Sequence, residues 1–420
     1  MSVQAVQSVS GGTSLPRLKV VWNYLEWGGA NIYLLAIMKQ AASSWDVEVL
    51  LPSGSSPEML RMITDTGARY TCFDGALDLS PAPTVKRKLN RQWKRLRSEM
   101  NATRALLREG LKGSVVHAEL APWQSWIFYL VLLASGAGVC CTVHNALIAT
   151  SSWRTAIWKI RLRILSNRKH FQIFVANANA RESLRGFVND RFWQRIPVTY
   201  PGVDVKAIKL ALQADEGVRS LRLRLGFPKD SVVILSAGRF IERKGCWTLL
   251  EAAAEVCMAA PQAQFVWLTP ELPSPEMLER ISKYGLSDRF RLVRSSEVGS
   301  GRPAILRSMR AADIFALPSF IEGLPIAILE AMALGIPPIG TNVFGIPEAI
   351  RNGETGILIP PGDPASLASA ILRLVADPAL RKGLGDAAQQ AALVNFDESR
   401  TAQIAISEYE RLLTLSNREV

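Results

Sequence analysis

The residues best placed to do chemistry are two cations and two carboxylates in the second half of the chain. Arg239 and Lys244 fall in Gly238-Arg239-Phe240-Ile241-Glu242-Arg243-Lys244-Gly245, directly after the apolar run VVILSA and before a helix opening near Cys246. A loop at such a place combines two fixed charges with the free amide N–H groups of a helix N-terminus, which suits a diphosphate. R-x4-K alone is equally compatible with a solvated loop. Further on, Glu322 and Glu330 lie in ADIFALPSFIEGLPIAILEAMALGIPPIG, residues 312–340. Glu322 stands in the turn before a helix whose first position suits Pro325, and Glu330 lies one to two turns inside it. Carboxylates so spaced accept hydrogen bonds from hydroxyls on different rings of one ligand. Glu330 is flanked by Ala327, Ile328, Leu329, Ala331 and Met332, a poor setting for an idle charge. Gly323 leaves the amides of Gly323 and Leu324 open to a ligand.

Three features of the first half occupy comparable places. Gly28-Gly29 follows the first predicted strand and precedes a helix near Asn31, where bare amides can approach an anion or a sugar. An ordinary strand-to-helix turn accounts for the pair equally well. His117 in VVHAEL and His144 in CTVHNA both end predicted strands. Ligands of open α/β sheets bind outside the carboxyl ends of the strands, so both histidines are candidates for a site as well as for hydrogen-bonded structural roles.

The elements that must position these residues alternate between β-branched runs and helix-length segments. The first series of strands is predicted at 18–23, 47–50, 69–73, 115–117, 139–143, 171–176 and 197–200. After a polar stretch the pattern restarts at 232–237, 264–268, 290–293, 313–317, 337–339 and 356–359. The fold class expected is α/β, two doubly wound Rossmann-like domains with parallel sheets facing across a cleft. Residues 17–204 would form the first domain and 205–395 the second, with 1–16 a disordered leader. An amphipathic helix over 396–420, apolar at Ile404, Ile406, Tyr409, Leu412 and Leu413, is expected to pack back on the first domain.

Taken together, the motifs resemble glycosyltransferase family 4, the retaining, nucleotide-sugar-dependent enzymes of GT-B fold. The resemblance rests on Gly238-Arg239 with Lys244-Gly245, Asp313 through Ser319, the E-x7-E pair Glu322 and Glu330, Gly345-Ile346-Pro347-Glu348, and the GILIPPGDP turn. It implies that Arg239 and Lys244 bind the donor diphosphate, Glu330 the ribose, Glu322 the transferred sugar, and Gly323 and Leu324 further donor contacts. Arg294 would face the base, of UDP or GDP. Gly28-Gly29 would lie near the donor phosphate, and His144, in TVHN, would face the sugar across the cleft, with Asn145 replacing the usual acid. His117 is assigned to the acceptor side. Thr269-Pro270-Glu271-Leu272-Pro273 replaces the usual glycine-rich turn. No strict D-x-D occurs, so no metal and no cofactor are expected. The implied function is transfer of a sugar from a nucleotide diphosphate sugar to an acceptor hydroxyl, with a lipid-linked or cell-surface polysaccharide precursor the expected acceptor. The alternatives are a catalytically silent GT-B partner subunit and a nucleic-acid-binding protein.

Charge separates the halves. Residues 1–200 hold 25 basic and 12 acidic side chains, whereas 201–420 hold 24 and 25, so the net +12 belongs to the first half. The excess concentrates at 86–108 and 153–170, the second interleaved with Trp153 and Trp158. Both segments are candidates for contact with an anionic membrane surface. Nucleic acid is not expected, because the balanced second half and E-x7-E would go unexplained. Five cysteines without C-x-x-C and only three histidines leave no zinc framework and fit reduced thiols in the cytoplasm, with the protein peripheral to the inner face of the membrane if the basic segments engage it. The apolar window 126–143 is broken at Ser135-Gly136 and Gly138, as a buried helix followed by a buried strand would be.

Overall fold

The computed structural model describes residues 15–418, apart from 24, 26–27, 76–83, 149–150, 214–220 and 300. Most of the expected leader therefore lies outside the described residues. Two six-stranded parallel sheets form the frame. The first runs β3-β2-β1-β4-β5-β6, from β1 (Arg17–Val21), β2 (Asp46–Pro52), β3 (Arg69–Phe73), β4 (Ser114–Ala118), β5 (Gly138–Val143) and β6 (Phe171–Val175). The second runs β12-β11-β10-β7-β8-β9, from β7 (Val232–Ala237), β8 (Ala263–Thr269), β9 (Phe290–Arg294), β10 (Ile314–Leu317), β11 (Pro338–Thr341) and β12 (Ile357–Ile359). Each sheet reverses its winding once, between β1 and β4 and between β7 and β10, which are the switch points where such sheets open a crevice.

Runs such as VVILSA and GVCCTV are apolar throughout because helices cover both faces of a parallel sheet, leaving no strand face for water. Where polar residues enter, the register pairs them: Lys19 on β1 lies beside Glu48 on β2 and forms a buried ion pair with it. The expected strand at 197–200 is reduced to a single bridge, Val198 to Val175. Pro197 lacks an N–H and Pro201 follows closely, so the ladder cannot extend. The apolar window resolves into the helix Trp126–Ala134 and β5, and no helix among the described residues is long and apolar enough to cross a membrane.

The chain passes from the first domain to the second near Val203 and returns near Asp397, and the two passages touch: the Val203 amide donates to the Phe396 carbonyl at 2.7 Å. The final helix, Glu398–Arg418, buries Ala402, Ala405, Tyr409 and Leu412 against Leu18, Trp22, Leu34 and Phe174 of the first domain. Ile404 points away from that core and is partly exposed.

Candidate active site

The carboxyl ends of both sheets open onto one cavity of about 1150 Å³ between the domains. Its second-domain wall is built by the segments after β7, β8, β9 and β10. Gly245 closes the first of these with φ +75°, and a Cβ there would fall 1.9 Å from the Pro318 carbonyl oxygen. Only glycine lets the loop press against the end of β10, and that contact brings Lys244 into an ion pair with Glu322. The Ser319 hydroxyl also donates to Glu322, at 2.9 Å. One helix in, on Ile326–Ala333, Glu330 is buried and paired with Arg302 from Gly301–Met309. Burial raises the Glu330 carboxyl above its ordinary range, and Arg302 pulls it back only in part. Arg239 at the mouth is bonded to Glu271 at 2.6 Å, which in turn accepts from Thr269.

The first-domain wall carries Gly28, Gly29 and His144. Gly28 caps the helix Gly29–Ala41 in an extended conformation, and a Cβ on either glycine would meet nothing closer than 3.7 Å, so the space beside these amides is open to a ligand. His144 Nε2 is 2.8 Å from Glu119 Oε2. Burial would push the Glu119 carboxyl up, but His144, bonded to it, and His117, 3.5 Å away, outweigh burial and bring the carboxyl down to about 2. The acid absent at Asn145 is thus supplied by the neighbouring strand. The Asn177 amide donates to the His144 carbonyl at 2.9 Å. A Cβ on Gly323 would come within 2.3 Å of that same carbonyl oxygen, so Gly323 is where the two domains meet as well as a ligand-facing position.

Of the residues singled out from sequence, Gly28, Gly29, His144, Arg239, Lys244, Glu322, Gly323, Leu324 and Glu330 all line this cavity. Two do not. His117 is fully buried, with Nδ1 at 2.6 Å from the Tyr409 hydroxyl and Nε2 at 2.8 Å from Thr142 Oγ1, so it is a core residue rather than an acceptor-side one. Arg294 turns its guanidinium outward to Glu297 at 2.9 Å, leaving Ser295 to line the cavity in its place. Glu119, Arg302 and Glu271 were missed. Glu119 was visible in VVHAEL, since it lies just past the end of a strand, where ligands bind. Arg302, in the first turn of the helix Gly301–Met309, has no distinguishing pattern, and Glu271 lies in the 269–273 turn that replaces the usual glycine-rich one, with nothing in the sequence to mark it as the partner of Arg239.

Two family models cover most of the chain: "Glycosyltransferase Family 4" matches residues 27–207 and "Glycosyl transferases group 1" matches residues 219–391. The chain belongs to the group 1 glycosyltransferases. This family-4-like member has the GT-B fold its two sheets describe. It is similar to a D-inositol 3-phosphate glycosyltransferase of Streptomyces bingchenggensis, 32% identical over 49% of this chain and 46% of the relative. A relative of the same name from Corynebacterium efficiens is 32% identical over 57% of each chain. The group 1 chain spans about half the length of the curated relatives it matches. Among solved structures, Anabaena HepE in complex with UDP and glucose superposes with a TM-score of 0.72 at 17% identity, over 93% of this chain and 98% of that one.

Proposed function

We propose that the protein transfers a sugar from a nucleotide diphosphate sugar to an acceptor hydroxyl, with retention at the anomeric carbon. The observation that carries this reading is the convergence of the Lys244–Glu322 and Arg302–Glu330 pairs and Arg239 opposite Gly28, Gly29 and His144. Arg239 and Lys244 bind the diphosphate and meet the charge that develops on it as the glycosidic bond breaks, with the helix amides in place of a metal ion. Glu330 accepts from the ribose hydroxyls and Glu322 from a hydroxyl of the transferred sugar, while Gly323 and Leu324 offer backbone donors. His144, held by Glu119, faces the transferred sugar. UDP is the first base to test, because HepE is described with UDP and glucose, and GDP the second.

The acceptor enters from the basic first domain. A lipid-linked or polysaccharide precursor at the cytoplasmic face of a membrane fits the exposed Trp93 and Trp153, set among the cations of Val85–Arg108 and Ser152–Ser166. Sedimentation with anionic vesicles that reverses in high salt is the corresponding measurement. Thermal stabilisation by UDP-, GDP- and ADP-sugars identifies the donor, and the anomeric configuration of the product, read by NMR, tests retention. Lys244→Ala and Glu330→Ala should weaken donor binding and turnover; unchanged donor binding in both variants would overturn the assignment.

A further inference from the structure

The Gly345-Ile346-Pro347-Glu348 turn belongs to the second domain, yet none of its four residues lines the cavity. It reaches across to the first domain instead. There the helix Ala178–Ser183 follows β6, and the N–H groups of its first turn have no helical carbonyl to accept them. The Ala178 amide donates to Glu348 Oε2 at 2.7 Å and the Asn179 amide to Glu348 Oε1 at 2.8 Å. The Ala180 amide is taken by the helix's own cap, Asn177 Oδ1, at 2.7 Å. Two of these three donors are thus satisfied by one carboxylate of the other domain, with one oxygen for each.

Both amides are exposed and Glu348 is half-buried, so water can serve them as well. What the carboxylate adds over water is position. Asn177 also donates from its side-chain amide to the His144 carbonyl at 2.9 Å. That carbonyl is the one Gly323 packs against, and Gly345 packs in turn on Gly323, so closely that a Cβ there would fall 1.9 Å from the Gly323 carbonyl oxygen. The contacts close a circuit between the domains: His144, Asn177 and the helix start on one side, Glu348, Gly345 and Gly323 on the other. The loop that delivers Gly345 holds Phe344 at φ +47°, the one non-glycine residue in the left-handed region among the described residues, a conformation that costs a bulky side chain energy. Tyr200 ties the circuit to the domain crossing. Burial raises its phenol to about 12, with the Glu348 charge adding to the rise, and its ring meets Phe396 edge-on at 5.7 Å.

We infer that Glu348 is a positioning residue: its carboxylate locks the second domain onto the start of the helix Ala178–Ser183 and holds His144 in register with Gly323 and Glu322. The consequence for His144 rests on the proposed transfer, whereas the lock rests on the contacts alone. Because the circuit closes between the walls, loss of Glu348 misaligns the halves of the site while leaving the nucleotide contacts of the second domain whole.

The test uses the full chain and compares it with Glu348→Ala and Glu348→Gln, taking a cooperative thermal transition as the sign of an intact fold. In Glu348→Ala the Ala178 and Asn179 amides should exchange hydrogen about tenfold faster or more, the scale of a lost bond to a charged group, while the Ala180 amide stays as it was. Glu348→Gln, which keeps one accepting oxygen, should release one of the two. Small-angle X-ray scattering should show a larger radius of gyration for Glu348→Ala. Affinity for UDP or GDP, whichever the native chain binds, should stay within about threefold. Turnover of the donor, kcat, should fall by about 10–10²-fold in Glu348→Ala, as a misplacement of about 1 Å would cause, and by less in Glu348→Gln. Unchanged exchange at both amides overturns the inference, as does faster exchange with kcat retained. A loss of nucleotide affinity as large as the loss of kcat marks a merely structural role and overturns it too. If the native chain turns over no nucleotide sugar, the transfer reading fails, and exchange with scattering decides the lock: an unchanged radius of gyration overturns it.

Discussion

The two walls of the cleft solve the same electrostatic problem in opposite ways. On the second-domain wall three cavity-facing cations are paired in advance, Lys244 with Glu322, Arg302 with Glu330 and Arg239 with Glu271, while Arg243 donates to the Ile321 carbonyl. On the first-domain wall cations gather with little opposing charge, and its one cavity-facing acid among the described residues is committed to histidine. Pre-pairing keeps buried or half-buried charges in place at tolerable cost, so that, on the proposed function, an incoming diphosphate would meet oriented cations. Cations gathered on one wall are tolerable where water still reaches them, as at Arg91 and Arg154, which are exposed.

The sharpest way to break this contrast is to unpair the second-domain wall. Lys244→Ala leaves Glu322 nearly buried without its cation and should lower turnover by about 10²–10³-fold, the effect of removing one preorganised donor. Adding Glu322→Gln should recover stability in a denaturant titration without recovering turnover, separating the pairing from the chemistry.

Next come two carboxyls that titrate in opposite directions. Glu119 sits near 2 against an ordinary 4.5, so its contribution is present above 4.5 and is lost as pH falls toward 2. Glu119→Gln should therefore cost about 3 kcal/mol at pH 7 and nothing at the acid end of that window. Glu398, at the domain junction, is raised to about 7 by burial and by the Asp204 charge, against partial relief from Lys39 and Arg302. An acid raised in the folded state is stabilising below 4.5, and that contribution is lost as pH rises to 7. Glu398→Gln should then stabilise the protein by up to about 3 kcal/mol at pH 8 relative to the native chain, and much less at pH 4. Chemical denaturation across pH reads both, and parallel slopes for the two variants would show that the cleft carboxyl and the junction carboxyl are not held in opposite ways.

The smallest effect belongs to Arg294→Ala. Among the described residues its guanidinium pairs with Glu297 on the surface, so both stability and donor binding should stay within about 0.5 kcal/mol of the native values. A large loss of donor binding would return Arg294 to the site.

The sheets were legible because apolar runs alternating with helix-length segments admit few other arrangements, and twelve of the thirteen expected strands appear. The exception, 197–200, has the composition of a strand but the backbone of a proline-bracketed bridge. The cavity's glycines, Glu322, Glu330, Arg239 and Lys244 were legible because each stands just past a strand end or at a helix start. The fate of the two histidines was not. Residues directly past a strand end face the crevice, as His144 and Glu119 do, whereas one inside the strand faces the sheet's own packing. His117 is the fourth residue of β4, and the fixed period of the strand turns it toward Tyr409. Arg302 and Glu271 could not be found by pattern, because their roles come from pairing with residues far away in sequence.

The final helix bears on the order in which the protein is made. Tyr409 donates to or accepts from His117 and packs on Phe174 and Trp45, completing a core whose first strand begins at Arg17. During synthesis the second domain can close its sheet once β12 and the helices after it have emerged. The first domain has to wait for the helix Glu398–Arg418, which follows the whole second domain, before its core is filled. The second-domain wall of the cleft is therefore assembled before the first-domain wall is finished, although the first-domain wall is encoded first.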